Sequence, residues 1–281
     1  MGDSEPMGGG DPFPILAVLV GAWGSMALRP YVFGFLALFV TAATSIWGWR
    51  RAAVFTVWAG GLAFAAEWLS TRIGVPFGLY HYTGVTAGRE LYISNVPFFD
   101  PLSFTFLAYA SLGLARLVLG IAERPLPTGV GARLRLAGLT GLLMMWLDLV
   151  IDPLAVRGDR WFLGRIFYYP EPGRYFGVPL ANFVGWVLVG AAIAWGWMFI
   201  APRVSGEAPG WGRRWPGHGT QAVAIYYLVL AFNVTVTALV AEPALLWVGV
   251  LLHVPLAGVV VCSLRSRESA DAMSARAGEP A

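Results

Sequence analysis

Uninterrupted apolar runs, most of them close to 20 residues long, recur along the chain at about 13–28, 31–49, 52–73, 97–121, 134–152, 179–201, 219–240 and 243–262. A hydrocarbon core about 30 Å thick takes about 20 helical residues to cross. Inside it, each backbone amide must find its partner within the fold. The runs are continuous rather than alternating, so they fit helices and not the strands of an outer-membrane barrel. The fold class expected is therefore all-α, a polytopic transmembrane helical bundle of seven or eight spans. The ambiguity lies at Arg29-Pro30, which either separates the first two spans or breaks a single one. Charged residues make up only 12% of the chain, about half the share usual in a soluble domain. A multi-pass protein of the cell membrane, with the lipid bilayer as its solvent, is the consistent reading.

The domain organisation follows. Residues 1–12 are acidic and Gly/Pro-rich with no basic n-region, which is not the pattern of a signal peptide; they are expected to be disordered. Residues 13–265 form one transmembrane catalytic domain, and the small, polar residues 266–281 read as a disordered tail. Two connections, 74–96 and 153–178, are long and rich in Gly, Pro and Tyr. Loops of that length with that aromatic content are expected to be ordered and functional. Both join an odd-numbered to an even-numbered span, so both emerge on the same membrane face. More of the arginines flank the opposite face, and the positive-inside rule then places the two loops outside.

Several function classes are excluded. The basic residues, all 19 of them arginine, form no stripe on any element, so no nucleic-acid partner is expected. One cysteine and three histidines in no ligand spacing leave no multi-cysteine metal site and no histidine-rich di-iron centre. No glycine-rich dinucleotide fingerprint follows a strand. Neither a metal nor a redox cofactor is expected.

What remains is a set of polar groups at membrane depth. Asp148 and Asp152 are four residues apart within "MMWLDLVIDPLAV", on one face of a helix. Glu67 lies near the end of the third span. Carboxylates in hydrocarbon cost several kcal/mol unless paired, wetted or protonated, and they mark function by default. These three are the candidate catalytic residues. Each has a plainer reading: Asp152, before Pro153, could simply end its helix; Glu67 could pair with Arg72. Asn182 follows Pro179 in the first turn of the sixth span, where it could serve as a helix-start cap. Asp100, before Pro101, reads as the N-cap of the fourth span. Tyr80, Tyr82, Trp161, Tyr175 and Trp186 are candidate substrate-binding residues, with an interfacial aromatic belt as the alternative. Asn233 reads as a helix–helix hydrogen bond. Ala181 and Gly185 are expected to let helices approach closely. A buried acid, a second carboxylate and electron-rich ring faces are the equipment for making and stabilising a cation.

Four stretches, "EWLSTRIGVPFGLYHYTG" (67–84), "NVPFFDPLSF" (95–104), "DLVIDP" (148–153) and "RYFGVPLANFVGW" (174–186), resemble the carotenoid 1,2-hydratase family of integral membrane proteins, those similar to bisanhydrobacterioruberin hydratase. The resemblance implies hydration of the terminal C1,C2 double bond of an acyclic or monocyclic carotenoid, without a cofactor, giving a tertiary 1-hydroxyl. Water is then the second substrate, and other enzymes of the carotenoid pathway are possible partners. The chemistry would use Asp148 or Glu67 as acid and Asp152 as base, with Asn182 or Tyr80 holding the water. Two rivals stand beside this reading. One is an end-group cyclase, which also begins by protonating C2 but excludes water. The other is a transporter or lipid-binding protein whose carboxyls form a proton relay.

Overall fold

The structure is a computed structural model that describes residues 14–122, 125–205 and 220–277. Its helices in chain order are α1 (Pro14–Leu28), α2 (Pro30–Trp47), α3 (Trp49–Ile73), α4 (Phe99–Val118), α5 (Val130–Ala155), α6 (Leu180–Ile200), α7 (Gln221–Leu239) and α8 (Pro243–Ala277). Seven of them, α2 to α8, are long and apolar enough to cross a membrane. The helix α1 has 15 residues and at 1.5 Å per residue reaches only about 22 Å. The Arg29-Pro30 ambiguity thus resolves as a break, with Pro30 at the first position of α2, where its missing N–H is no loss.

The buried centre of the bundle is α4. Phe104, Phe106, Leu107, Ala108, Tyr109, Ala110, Ser111, Leu112 and Leu114 are all buried, so the helix is enclosed on every side. It packs against α2, α3, α5 and α7. The closest pair is α5 with α6. A Cβ on Gly141 would lie 2.2 Å from the Val187 carbonyl oxygen, and one on Gly190 3.0 Å from the Gly141 Cα. Only glycine permits that approach. The small residues singled out from the sequence do a different job. A Cβ on Gly185 would meet Phe77 at 2.6 Å, and Ala181 packs on Gly78. They admit the 74–96 loop against α6, not another helix.

The two long loops pair with each other. Strand β1 (His81–Tyr82) lies antiparallel to β4 (Phe167–Tyr168), with His81 opposite Tyr168 and Tyr82 opposite Phe167. Both loops therefore sit on one face, as helix polarity required. Within the first loop, β2 (Tyr92–Ile93) pairs with β3 (Val96–Pro97). Buried Arg29, at the α1–α2 break, ties the loops to the bundle. It donates to the Leu163 carbonyl at 2.7 Å and meets Glu90 at 3.3 Å, and its guanidinium lies 4.7 Å from the centre of the Phe99 ring. Thr86 donates to the same Glu90 oxygen. In turn α1 lies against the first loop: Gly24 faces the Arg89 carbonyl, and the Leu91 amide donates to Ser25 at 3.0 Å.

Two boundaries differ from the sequence reading. Helix α5 does not stop before Pro153 but runs through it to Ala155. Proline at 153 cannot donate to the carbonyl of Leu149 four residues back. The Tyr175 hydroxyl does so instead, at 3.1 Å. At the other end of the chain, the expected break near 265 is absent, because α8 continues to Ala277. The segment "SRESADAMSARA" holds no glycine or proline that would stop a helix. The expectation for residues 1–12 lies outside the described residues.

Candidate active site

A cavity of about 120 Å³ lies beneath the paired loops, and Glu67, Asp100 and Asp152 all line it. Each half of its polar wall comes from one helical hairpin. In the first hairpin, Glu67 stands near the end of α3, Tyr82 in β1 and Asp100 in the first turn of α4. The Tyr82 hydroxyl lies 2.9 Å from Glu67 Oε2 and 2.6 Å from Asp100 Oδ2. In the second, Asp148 and Asp152 occupy successive turns of α5 and Asn182 the first turn of α6. The Asn182 amide donates to Asp148 Oδ2 and to Asp152 Oδ2, each at 2.7 Å. Two carboxyl pairs, each bridged by one neutral polar residue, thus meet at one space.

Proton counting separates the two bridges. An amide NH₂ has two hydrogens and serves both aspartates at once. A phenol has one, so Tyr82 can donate to only one of its two carboxyls. Burial, and then the charges of Asp100 and Glu67, hold the Tyr82 hydroxyl well above the usual phenol range, so it keeps its proton. The second contact closes only if a carboxyl carries the other proton. Glu67, Tyr82 and Asp100 then share two protons across two hydrogen bonds.

The rest of the wall is aromatic. Phe104 and Trp186 stack with ring centres 4.4 Å apart and planes at 12°. Tyr80 stands edge-on to Tyr82 and to Phe167, and Tyr169 packs edge-on to Phe167 beside them. Tyr80 and Tyr169 both line the cavity. Burial above all raises both hydroxyls well above the ordinary phenol range, so both remain donors. Away from the carboxyls the cavity runs between α2 and α7, where Tyr31 and Phe232 stack at 5.0 Å.

Each residue proposed from the sequence now has a place. Glu67, Asp152, Tyr80, Asn182, Trp186 and Trp161 line the cavity. Tyr82 stands behind Tyr80 and bridges two carboxyls. Asp148 is fully buried and lies behind Asn182, not on the cavity wall. Tyr175 is not on the wall either; its hydroxyl donates to the Leu149 carbonyl. Arg72 does not pair with Glu67. It lies over Trp68 at 3.9 Å and donates to Asn95 and Ser94 in the first loop. The Asn233 amide donates to the Val229 carbonyl on its own helix, and the side chain lines the cavity.

The residue that sequence reasoning misplaced is Asp100. It does not cap α4: that helix begins at Phe99 and has no side-chain cap. Its carboxyl faces the cavity and takes the shortest contact of Tyr82. The signal available was the pairing of "FFDP" with a tyrosine-rich loop that returns to the same helix ends. Among the described residues, no group of three or more His, Cys, Asp or Glu is placed to hold a metal ion.

Fold and site together define a polytopic membrane protein with an aromatic, carboxyl-bearing cavity whose wall includes residues of both long loops. Residues 27–257 match the model of a family described as carotenoid biosynthesis protein, and the chain belongs to that family. A curated relative, bisanhydrobacterioruberin hydratase of Haloarcula japonica, is 34% identical over 142 residues. That match takes in 50% of this chain and 43% of the relative, so it spans less than half the relative's length. No solved structure matches the chain.

Proposed function

We propose that this protein adds water across the terminal C1,C2 double bond of an acyclic carotenoid end group, as a cofactor-independent hydro-lyase of the cell membrane. The observation that carries the reading is that Glu67, Asp100 and Asp152, each held in a bridged carboxyl pair, line one aromatic cavity inside the bundle. Family membership and the hydratase name of the relative support it.

A trisubstituted alkene offers no polar handle, so the reaction begins with proton transfer to C2 and leaves a tertiary cation at C1. The Glu67–Tyr82–Asp100 group, which holds a carboxyl proton in hydrocarbon surroundings, is the acid. The rings of Trp186, Phe104 and Tyr80 face the cation, and aromatic faces stabilise positive charge. Asp152, anchored by Asn182, is the carboxylate that opposes the cation and takes a proton from the attacking water. Asp148 supports this base through the shared amide. The polyene extends along the apolar arm of the cavity past Tyr31, Phe35 and Phe232.

Hydration is favoured over cyclisation by one feature. The hydroxyls of Tyr80 and Tyr169 and the Asn182 amide give the cavity several hydrogen-bonding groups that can hold a water beside the carboxyls. A cyclase gains by keeping such groups away from its cation. Expression in a lycopene-producing host, with chromatography and mass spectrometry of the pigments, tests the reading. The expected product is heavier than its precursor by one water per reacted end; a cyclic isomer of unchanged mass would replace hydration with cyclisation.

A further inference from the structure

Hydration leaves the site one proton transfer away from its starting state. The acid group has lost a proton to C2, and Asp152 has gained one from water. The site must return that proton before it can act again. The cavity lies beneath the loops with largely apolar walls, which favours a return path inside the protein over exchange with bulk water.

We propose that Tyr82, with Asp100, is the return path that recharges Glu67 after each turnover. The proposal rests on the hydration reading above. Among the described residues, Tyr82 is the hydroxyl in contact with both acid-side carboxyls, at 2.9 and 2.6 Å, and the Tyr80 hydroxyl lies 3.5 Å from it on the cavity side. Tyr169 stands beside Tyr80, on the same cavity as Asp152. Tyr80 and Tyr169 thus place hydroxyl donors on the cavity that Asp152 and Glu67 share, and cavity water spans the remaining distance to Asp152.

The protons balance. In the first step the Glu67 O–H bond breaks, a C2–H bond forms from the alkene electron pair, and C1 becomes a cation. Next the water oxygen bonds to C1 and releases a proton to Asp152. At that point Glu67, Tyr82 and Asp100 hold one proton for two close contacts, and two carboxylates face each other across a phenol. That discharged state is electrostatically unfavourable in a low-dielectric site, and it draws the proton back. The Asp152 proton passes through cavity water and the Tyr80 hydroxyl to the Tyr82 oxygen. Tyr82 hands its own proton to Glu67. Asp100 gives the Tyr82 hydroxyl an acceptor while Glu67 is charged with its proton, and so keeps the hydroxyl aligned between turnovers.

The test uses the full chain in lipid nanodiscs supplied with lycopene. First-turnover and steady-state rates are compared in wild type, Tyr82→Phe and Asp100→Asn, in H₂O and D₂O, with and without formate buffer. The expected result is a steady-state rate lowered by about 10²-fold in the variants, with the first turnover slowed much less. A larger solvent isotope effect on the steady state and partial rescue by formate should accompany it. Asp100→Asn keeps the side-chain volume and preserves the test if Tyr82→Phe inserts poorly. Wild-type steady-state turnover in either inserted variant overturns the relay. So does equal slowing of first and later turnovers that formate does not relieve. A wild type that yields no alcohol overturns the hydration reading itself.

Discussion

At the scale of single residues, the two aspartates of α5 differ in what they face. Asp152 opens onto the cavity, while Asp148 is fully buried behind Asn182 with Oδ1 unpartnered. Replacing Asp152 with Asn is therefore expected to lower hydration by about 10²–10⁴-fold, the usual worth of a positioned acid or base. Asp148→Asn should lower it less, because that group is off the cavity wall and reaches the site only through Asn182 and its neighbour Asp152. It should also leave thermal stability about equal, since the amide keeps an acceptor for Asn182 and adds no charge to bury. Hydroxycarotenoid yield and melting temperature in detergent check the pair. Equal losses of activity would place Asp148 at the reacting carbons. The sequence made these carboxyls visible because hydrocarbon tolerates so few of them. It hid the difference between them, since four residues of helix put both on one face and say nothing of which one a neighbouring asparagine covers.

The elements show a similar division. The helices were legible because spanning length and apolar continuity are local properties, and observed ends fall close to expected ones everywhere but at the C-terminal end of α8. Pro153 was misleading for a reason that only the tertiary structure supplies: a tyrosine 22 positions further on replaces the missing hydrogen bond. Removing that donor with Tyr175→Phe leaves the Leu149 carbonyl unsatisfied and should cost about 1–3 kcal/mol. With Pro153→Ala in place, a backbone amide is restored and the cost of Tyr175→Phe should fall to near zero. Unfolding of the four proteins in a double-mutant cycle measures this; a cost that persists in the Pro153→Ala background removes the explanation. The loop pairing of β1 with β4 was not legible either. Strands of two residues carry no periodicity, and only the need for both loops to share a face anticipated their meeting. Asp100 was lost for the same reason, since an aspartate before a proline reads as a helix start until Tyr82 is brought over it.

For the molecule as a whole, Arg29 is the point where the α1–α2 break, the first loop and the second loop are joined. Both Arg29 and Glu90 are almost fully buried, at 1% and 0% side-chain exposure. Deleting one partner of a buried ion pair strands the other charge and typically costs about 3–5 kcal/mol. Glu90→Ala is thus expected to loosen the cap as well as lower the melting temperature. Faster hydrogen exchange in both 74–96 and 153–178 is the signature that separates this from a local defect. Loss of protection in the first loop alone would show that Arg29 does not couple them.

The allocation of each carboxyl pair to its own hairpin has a consequence for how the protein is made. Glu67, Tyr82 and Asp100 have all left the ribosome's catalytic centre before Asp148 is translated. The Glu67–Tyr82–Asp100 half must therefore wait in the bilayer as a self-contained unit, and in the proposed mechanism its shared protons let it do so without two bare charges. The Asp148–Asp152 half arrives later with its own amide bridge, Asn182, already encoded beside it. Two polypeptides, 1–122 and 123–281, should then each insert with an intact half and assemble into a working protein when co-expressed. Neither alone should make any alcohol, and a co-expressed pair that inserts but makes none would show that the halves must be joined to form.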